Sequence, residues 1–381
     1  MDNSATTCCT QDVADAVAEA MLRSYGNPSS AHSKGMEAEM LLRSAREDLA
    51  ATLRCRPDEI VLTSGGTESD NWAVLGTART YRRRGRHLIT TAVEHAAILE
   101  PMKALEKEGY TVTYLPVDHW GRISLEDLKA ALDDETILVS IMAVNNEVGA
   151  MQPIREAAQI VKAYDPAILF HTDAVQAYGK IPLQPGRDGI DLMSVSSHKF
   201  HGPKGIGFLY LKEKTRLQPL ILGGGQQKGL RSGTDNVSGA VGMARAAVNA
   251  CSQMDGHTAH FLSLKERLMD GLQAMDDVRL HSLPGSEGAP HIVNASFVGV
   301  RSEVLLHALE ERGIYVSAGS ACSTNHHLPV SPVLQQMHLP RNEMESALRF
   351  SFSIFNTREQ VDTVLEALRE LLPALRRFTR R

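Results

Sequence analysis

Residues able to do chemistry gather at a few points of the chain, most densely in SVSSHKFHGPKG, Ser194 to Gly205. This run sets Lys199 between two histidines, beside serines and just ahead of a glycine-proline turn. A lysine in a confined, partly dry site loses its charge readily and becomes a nucleophile toward carbonyls. A lysine whose head reaches water accounts for the same residue without chemistry. Asp173 lies near the end of the apolar run AILFHTDAV, with Gln176 just beyond. A carboxylate there needs a positive partner, or else it caps a helix. SGGTESD, Ser64 to Asp70, joins a strand-like run to a helical one. Its glycines allow close backbone approach, and the first helical turn offers free N–H groups to an anion; a capping-box-like pair, Thr67 with Asp70, serves equally. His95 closes HLITTAVEH and opens a helix, where a structural role competes with proton transfer. Each point is weak alone. Together they make an anion cradle, a carboxylate, a flat ring and a reactive lysine. Pyridoxal phosphate needs all four; among them the helix start serves its phosphate, the carboxylate its pyridinium nitrogen and the lysine its aldehyde.

The elements that must position these residues read as α/β. Apolar runs over 59–64, 87–93, 110–117, 136–144, 167–175, 191–197 and 207–212 are rich in Val and Ile, as strands buried on both faces should be. Stretches such as GTESDNWAVLGTARTYRR and PIREAAQIVKAY carry apolar residues at helical spacing between them. The alternation predicts a large domain with a mostly parallel central sheet flanked by helices. Ligands then bind at the carboxyl ends of its strands. After about residue 255 the texture changes to VRLHSL, HIVNASFVGV and ALRFSFSIF, with helical stretches at 259–275, 301–313 and 357–378. A smaller α+β C-terminal domain is expected there. The division places 14–255 in the large domain and 1–13 with 256–381 in the small one.

Bulk properties narrow the class further. The chain has 381 residues and a formal charge of -5, which implies no broad attraction to nucleic acid or an anionic membrane. No apolar stretch approaches the roughly 20 residues that a bilayer needs, and no basic-then-apolar leader is visible. The five cysteines, Cys8, Cys9, Cys55, Cys251 and Cys322, are an odd and scattered set without a Cys-x-x-Cys pair. A reducing compartment, the cytoplasm, is expected, with no disulfide framework and no metal site.

The ordered motifs DNSATT, GNPSSAH, TSGGTESDN, VEHAAI, VNNEVGAMQPI, FHTDAVQAYGK, SVSSHKFHGPKGIGFLY, GGGQQKGLRSGT, SAGSACST and ALRFSF run nearly end to end. Through them the chain resembles the cysteine desulfurases of the fold-type I, class V aminotransferase superfamily. The resemblance implies that Lys199 bonds to the aldehyde of pyridoxal 5'-phosphate and that His95 stacks on its ring. It implies Asp173 at the ring nitrogen, Gln176 at the phenolic oxygen, and Gly66, Thr67, Ser196 and His198 at the phosphate. Thr234 would reach the phosphate of a neighbouring subunit, which implies a homodimer with shared sites. Asn146 and Arg349 would hold the substrate carboxylate; a planar fork such as Arg349 suits that task. Cys322 would be the nucleophile, in a run whose small residues suit a mobile loop. L-cysteine would displace Lys199, whose freed amine takes the α-proton while His95 handles the proton of the substrate thiol. Attack by the Cys322 thiolate would leave a persulfide on Cys322 and release L-alanine. The closing LLPALRRFTRR lacks the longer tail by which relatives often dock an iron–sulfur scaffold, so the sulfur acceptor is left open between such a scaffold and a tRNA-thiolation protein. Selenocysteine lyase and aminotransferase chemistry are the related alternatives; a catalytically idle sulfur-transfer scaffold is the unrelated one.

Overall fold

Seven short apolar runs become the strands of one sheet: β1 (Ile60–Thr63), β2 (His87–Thr91), β3 (Thr111–Leu115), β4 (Thr136–Ser140), β5 (Leu169–Asp173), β6 (Leu192–Ser196) and β7 (Gly207–Leu211). In this computed structural model, which describes residues 1–318 and 330–379, the strand order is β1-β7-β6-β5-β4-β2-β3. Strands β3, β2, β4, β5 and β6 are parallel neighbours. β7 runs against both β6 and β1. Every residue of β2, β4, β5 and β6 is buried, and apart from His87, His171 and Asp173 these strands are apolar or hydroxyl-bearing. The edge strand β3 begins with an exposed threonine, as a strand with one open side tolerates.

The topology decides where a ligand can sit. From β2 the chain steps outward to β3; from β4 it steps the other way through β5 to β6. β2 and β4 are therefore neighbours at the point where the winding reverses, and such a reversal opens a crevice beyond the carboxyl ends of the strands. β1 points the same way as β6, because each is antiparallel to β7. The segments leaving β1, β2, β4, β5 and β6 thus emerge along one edge.

The expected helix over 66–83 forms, with a difference. It runs as Gly66–Asn71, a π turn at Trp72–Gly76 and a last stretch at Thr77–Tyr81. The wide turn gives room to Trp72, whose indole donates to the Gln218 carbonyl at 2.9 Å. A Cβ on Gly76 would lie 2.9 Å from the Trp72 ring, so glycine is required beside it.

The second sheet contains β8 (Val278–Leu280), β9 (Ile292–Phe297), β10 (Ser317–Ala318) and β11 (Ala347–Ser351), in the order β10-β11-β9-β8 and antiparallel throughout. β10 escaped sequence analysis because two residues carry no period. The helices Met254–Gln273 and Arg358–Thr379 cover this sheet through Phe261, Leu264, Leu268, Val361 and Leu368, packed on Val293, Phe297 and Phe350. The chain start joins it as well, with Asp2 bridging to Ser351 of β11.

Candidate active site

Lys199 ends a single 3-10 turn, Ser197–Lys199, directly after β6. Its Nζ donates to the carbonyls of Ser4 at 2.6 Å and Ala5 at 2.9 Å, so the DNSATT motif lies against the lysine. Gln176 is drawn to the same segment, its Nε2 donating to the Ser4 carbonyl at 2.9 Å. The Gln176 Oε1 is buried without a hydrogen-bond partner among the described residues. Asp173 closes β5, and its Oδ1 accepts from the Val175 N–H at 2.8 Å. Burial pushes its carboxyl above the usual range, while that N–H, His95 and Lys199 pull the other way.

His95 is exposed and caps the helix Ala96–Lys107, its Nδ1 accepting from the Ala97 N–H at 3.1 Å. With Nδ1 committed as an acceptor, the neutral ring carries its proton on Nε2. The cradle is built by close approach. Gly65 has φ +149°, and a Cβ on Gly66 would meet Val175 at 2.7 Å and Ser196 at 3.6 Å. Thr67 is exposed at this helix start and Ser196 is buried at the end of β6. The His198 ring lies 3.2 Å from the Thr6 hydroxyl, and burial followed by Lys199 lowers its pKa to about 4. It is neutral near pH 7 and serves as a hydrogen-bonding group, not a cation.

Arg349 reaches across from β11. Its Nη1 donates to the Asn146 carbonyl and its Nη2 to the Asp2 carboxylate, both at 2.8 Å. Asn146 therefore meets the guanidinium through its backbone. Arg349 is 4% exposed and its Nε has no partner among the described residues. Lys199, Asp173, Gln176, Gly66 and Ser196 come together along the edge where the strands end, with His95 and His198 beside them. Thr234 is exposed on the segment before the helix Val237–Ser252, and among the described residues no hydrogen bond ties it to this group. Cys322 lies outside the described residues.

Residues 1–364 match the model of the class-V aminotransferase family. A cysteine desulfurase IscS from Dictyoglomus turgidum is 41% identical across 99% of this chain and 95% of its own. The chain belongs to the cysteine desulfurases of this family. A solved NifS-like protein shares the desulfurase fold with a TM-score of 0.93 at 41% identity, covering 98% of this chain and 99% of its own. The structure titled SspA in complex with cysteine reaches 0.81 at 32% identity, covering 93% and 99%.

Sequence reasoning missed the layer behind Asp173 in this desulfurase. Asp70 and His171 are fully buried, 3.7 Å apart, and His171 bridges the Ser140 and Ser194 hydroxyls at 2.8 and 2.9 Å. Burial drives the His171 pKa down to about 3. The Asp70 carboxyl is held well above its usual range by burial and then by the charge of Asp173. Glu94 is pushed up to about 8 by burial, although its Oε1 accepts from the Met142 N–H and the Thr91 hydroxyl at 2.7 and 2.9 Å. Asp70 and Glu94 belong to the TSGGTESDN and VEHAAI motifs. That adjacency was the available signal.

Proposed function

We propose that this desulfurase withdraws the sulfur of L-cysteine at the edge where Lys199, Asp173 and Gln176 meet, with pyridoxal phosphate as cofactor, and passes it on from Cys322. Several observations support the cofactor. Gln176 keeps an orphaned buried amide oxygen, Asp173 stands at the strand end beside it, and the missing Cβ of Gly66 lets the helix start pack closely against Val175 and Ser196. A relative solved in complex with cysteine supports the substrate. Pyridoxal phosphate, when bound, supplies an aldehyde that captures an amine and a ring that stores the electron pair left by a departing proton.

The chain's own residues would do the rest. Gly66, Thr67, Ser196 and His198 hold the phosphate, and Asp173 holds the proton of the ring nitrogen. Gln176 has a second amide hydrogen to offer the phenolic oxygen, and His95 covers the ring face. Arg349, which already grips the carboxylate of Asp2, orients the substrate carboxylate together with Asn146. Lys199 Nζ removes the α-proton, and His95 Nε2 moves the proton of the substrate thiol. The Cys322 thiolate attacks the substrate sulfur, whose bond to Cβ breaks; the resulting persulfide goes to an acceptor protein in the cytoplasm, and L-alanine leaves.

A homodimer completes the reading, with Thr234 contributed to the phosphate site of the second copy. Exposed Met21, Leu22, Tyr25, Met36 and Met40 support it. Met21 and Leu22 lie on the helix Gln11–Arg23 and Met36 and Met40 on Ser33–Leu53, with Tyr25 in the link between them, and both helices pack against Val237–Ser252. A second copy would remove them from water. The test is product analysis. The yellow holoenzyme given L-cysteine and a reductant should yield sulfide and alanine in equal amounts. Cys322→Ala should stay yellow and lose sulfide release, and Lys199→Ala should lose the lysine-linked absorption band. Undiminished sulfide release from Cys322→Ala would remove the persulfide route.

A further inference from the structure

Lys180 closes the FHTDAVQAYGK motif, seven residues past Asp173 at the end of its strand. The turn before it depends on Gly179, at φ +73°, where a Cβ would come within 2.9 Å of Ala250. Packed this tightly against the helix Val237–Ser252, the turn carries Lys180 inward, to 6% exposure. A buried ammonium ordinarily finds acceptors. Lys265, the other deeply buried lysine, donates to the carbonyls of Gly285 and Ala289, both at 3.1 Å. Lys180 Nζ has no hydrogen-bond partner among the described residues.

Lys180 and Lys199 line one small cavity of about 30 Å³, with room for a water or two and no more. None of the described residues around it is Asp or Glu. The titratable groups facing Lys180 are basic from every side. His198 and His201 come from the turn after β6, His257 from the helix Met254–Gln273, His291 from the approach to β9 and Arg349 from β11. Lys199 faces the same group and also acts on the carboxylate of Asp173.

We propose that Lys180 is a positioning residue acting through charge: an amine with no hydrogen-bond partner among the described residues and sharing one small cavity with Lys199, it biases the Lys199 amine toward its neutral, nucleophilic form. The role of Lys199 as the reactive amine rests on the proposed function. Two ammonium groups in one low-dielectric cavity repel, so the pair sheds a proton earlier than either lysine would alone. Crowding by a second cation is a known way of making a lysine reactive. The direction on Lys180 agrees: burial, then Lys199 and Arg349, lower it to about 7.

The test reads the amine and not turnover. Cofactor-free protein is methylated with formaldehyde and cyanoborohydride across a pH series. Peptide mass spectrometry follows Lys199 against the exposed Lys107. Lys199 should reach half-labelling at a lower pH than Lys107. In Lys180→Met and Lys180→Gln its midpoint should rise by about one unit, cutting its labelling near neutral pH about tenfold, whereas Lys180→Arg should keep it low. Coupling is reciprocal, so Lys199→Ala should raise the labelling midpoint of Lys180 by a similar amount. An unmoved Lys199 midpoint in the Met and Gln variants, the same upward shift in Lys180→Arg, or no reciprocal rise overturns the proposal. Failure of the wild-type chain to take up pyridoxal phosphate would instead overturn the proposed function and leave this coupling standing.

Discussion

Glu94 shows at the scale of one residue what the buried site costs. Its carboxyl titrates near 4.5 when unconstrained and about 8 in the fold, so between those values the folded chain holds a proton that the unfolded chain has released. Stability therefore falls as pH rises through that window. Glu94→Gln should flatten the fall, by a few kcal/mol in total, and melting temperatures taken across the window would read it; parallel curves for wild type and variant would refute the assignment. Arg349 is a different case, since its two terminal nitrogens are already committed to Asn146 and Asp2. Arg349→Lys keeps the charge and loses the fork. KM for L-cysteine should rise about tenfold or more, with a smaller change in kcat, as expected when binding shared by ground and transition state is removed. Lys199, Asp173 and His95 could be chosen from residue type and place in the chain. Asp70 and Glu94 could not, because burial first and the charge of Asp173 after it raise both, and each arises only when strands far apart in sequence pack together.

At the scale of elements, the cradle depends on how closely strands and turn stack. Gly207 of β7 pairs with Thr63 on one side and Ser196 on the other. A Cβ there would meet the Val195 carbonyl oxygen at 2.4 Å and the Gly65 Cα at 2.7 Å. Both are backbone atoms, which cannot swing aside. Gly207→Ala should cost about 1–3 kcal/mol of stability, read by denaturant titration, and should weaken cofactor uptake by moving the Gly65–Gly66 turn. A stable variant with undiminished uptake would show that the turn is not clamped. The strand runs themselves were legible, since a strand buried on both faces is apolar or hydroxyl-bearing along most of its length. The π turn at Trp72–Gly76 was not, because it answers to the contact of Trp72 with Gln218, which no local period encodes.

For the whole molecule, the apolar side chains on Gln11–Arg23 and Ser33–Leu53 carry the prediction. Leu22 is 78% exposed and Met40 63%, more than a solitary chain gains from apolar residues at such positions. Sedimentation should give twice the chain mass of 41.6 kDa. The pair Leu22→Glu and Met40→Glu should shift the protein toward one copy and lower activity, because the proposed site takes Thr234 from the second copy. A wild-type chain that sediments as a single copy while fully active would end the shared-site proposal.

The sequence alone determined the class of fold and the family, because hydrophobic period and ordered motifs are local properties that survive without coordinates. It also singled out the residues whose chemistry suits pyridoxal phosphate. Only the tertiary structure decided which of them meet. The reversal of winding between β2 and β4 gathers segments from five strands at one edge, and the packing of Gly179 on Ala250 turns Lys180 toward Lys199. Burial and the absence of a partner are properties of many chain segments at once, so the charge imbalance around these two lysines could be read only after the chain had folded.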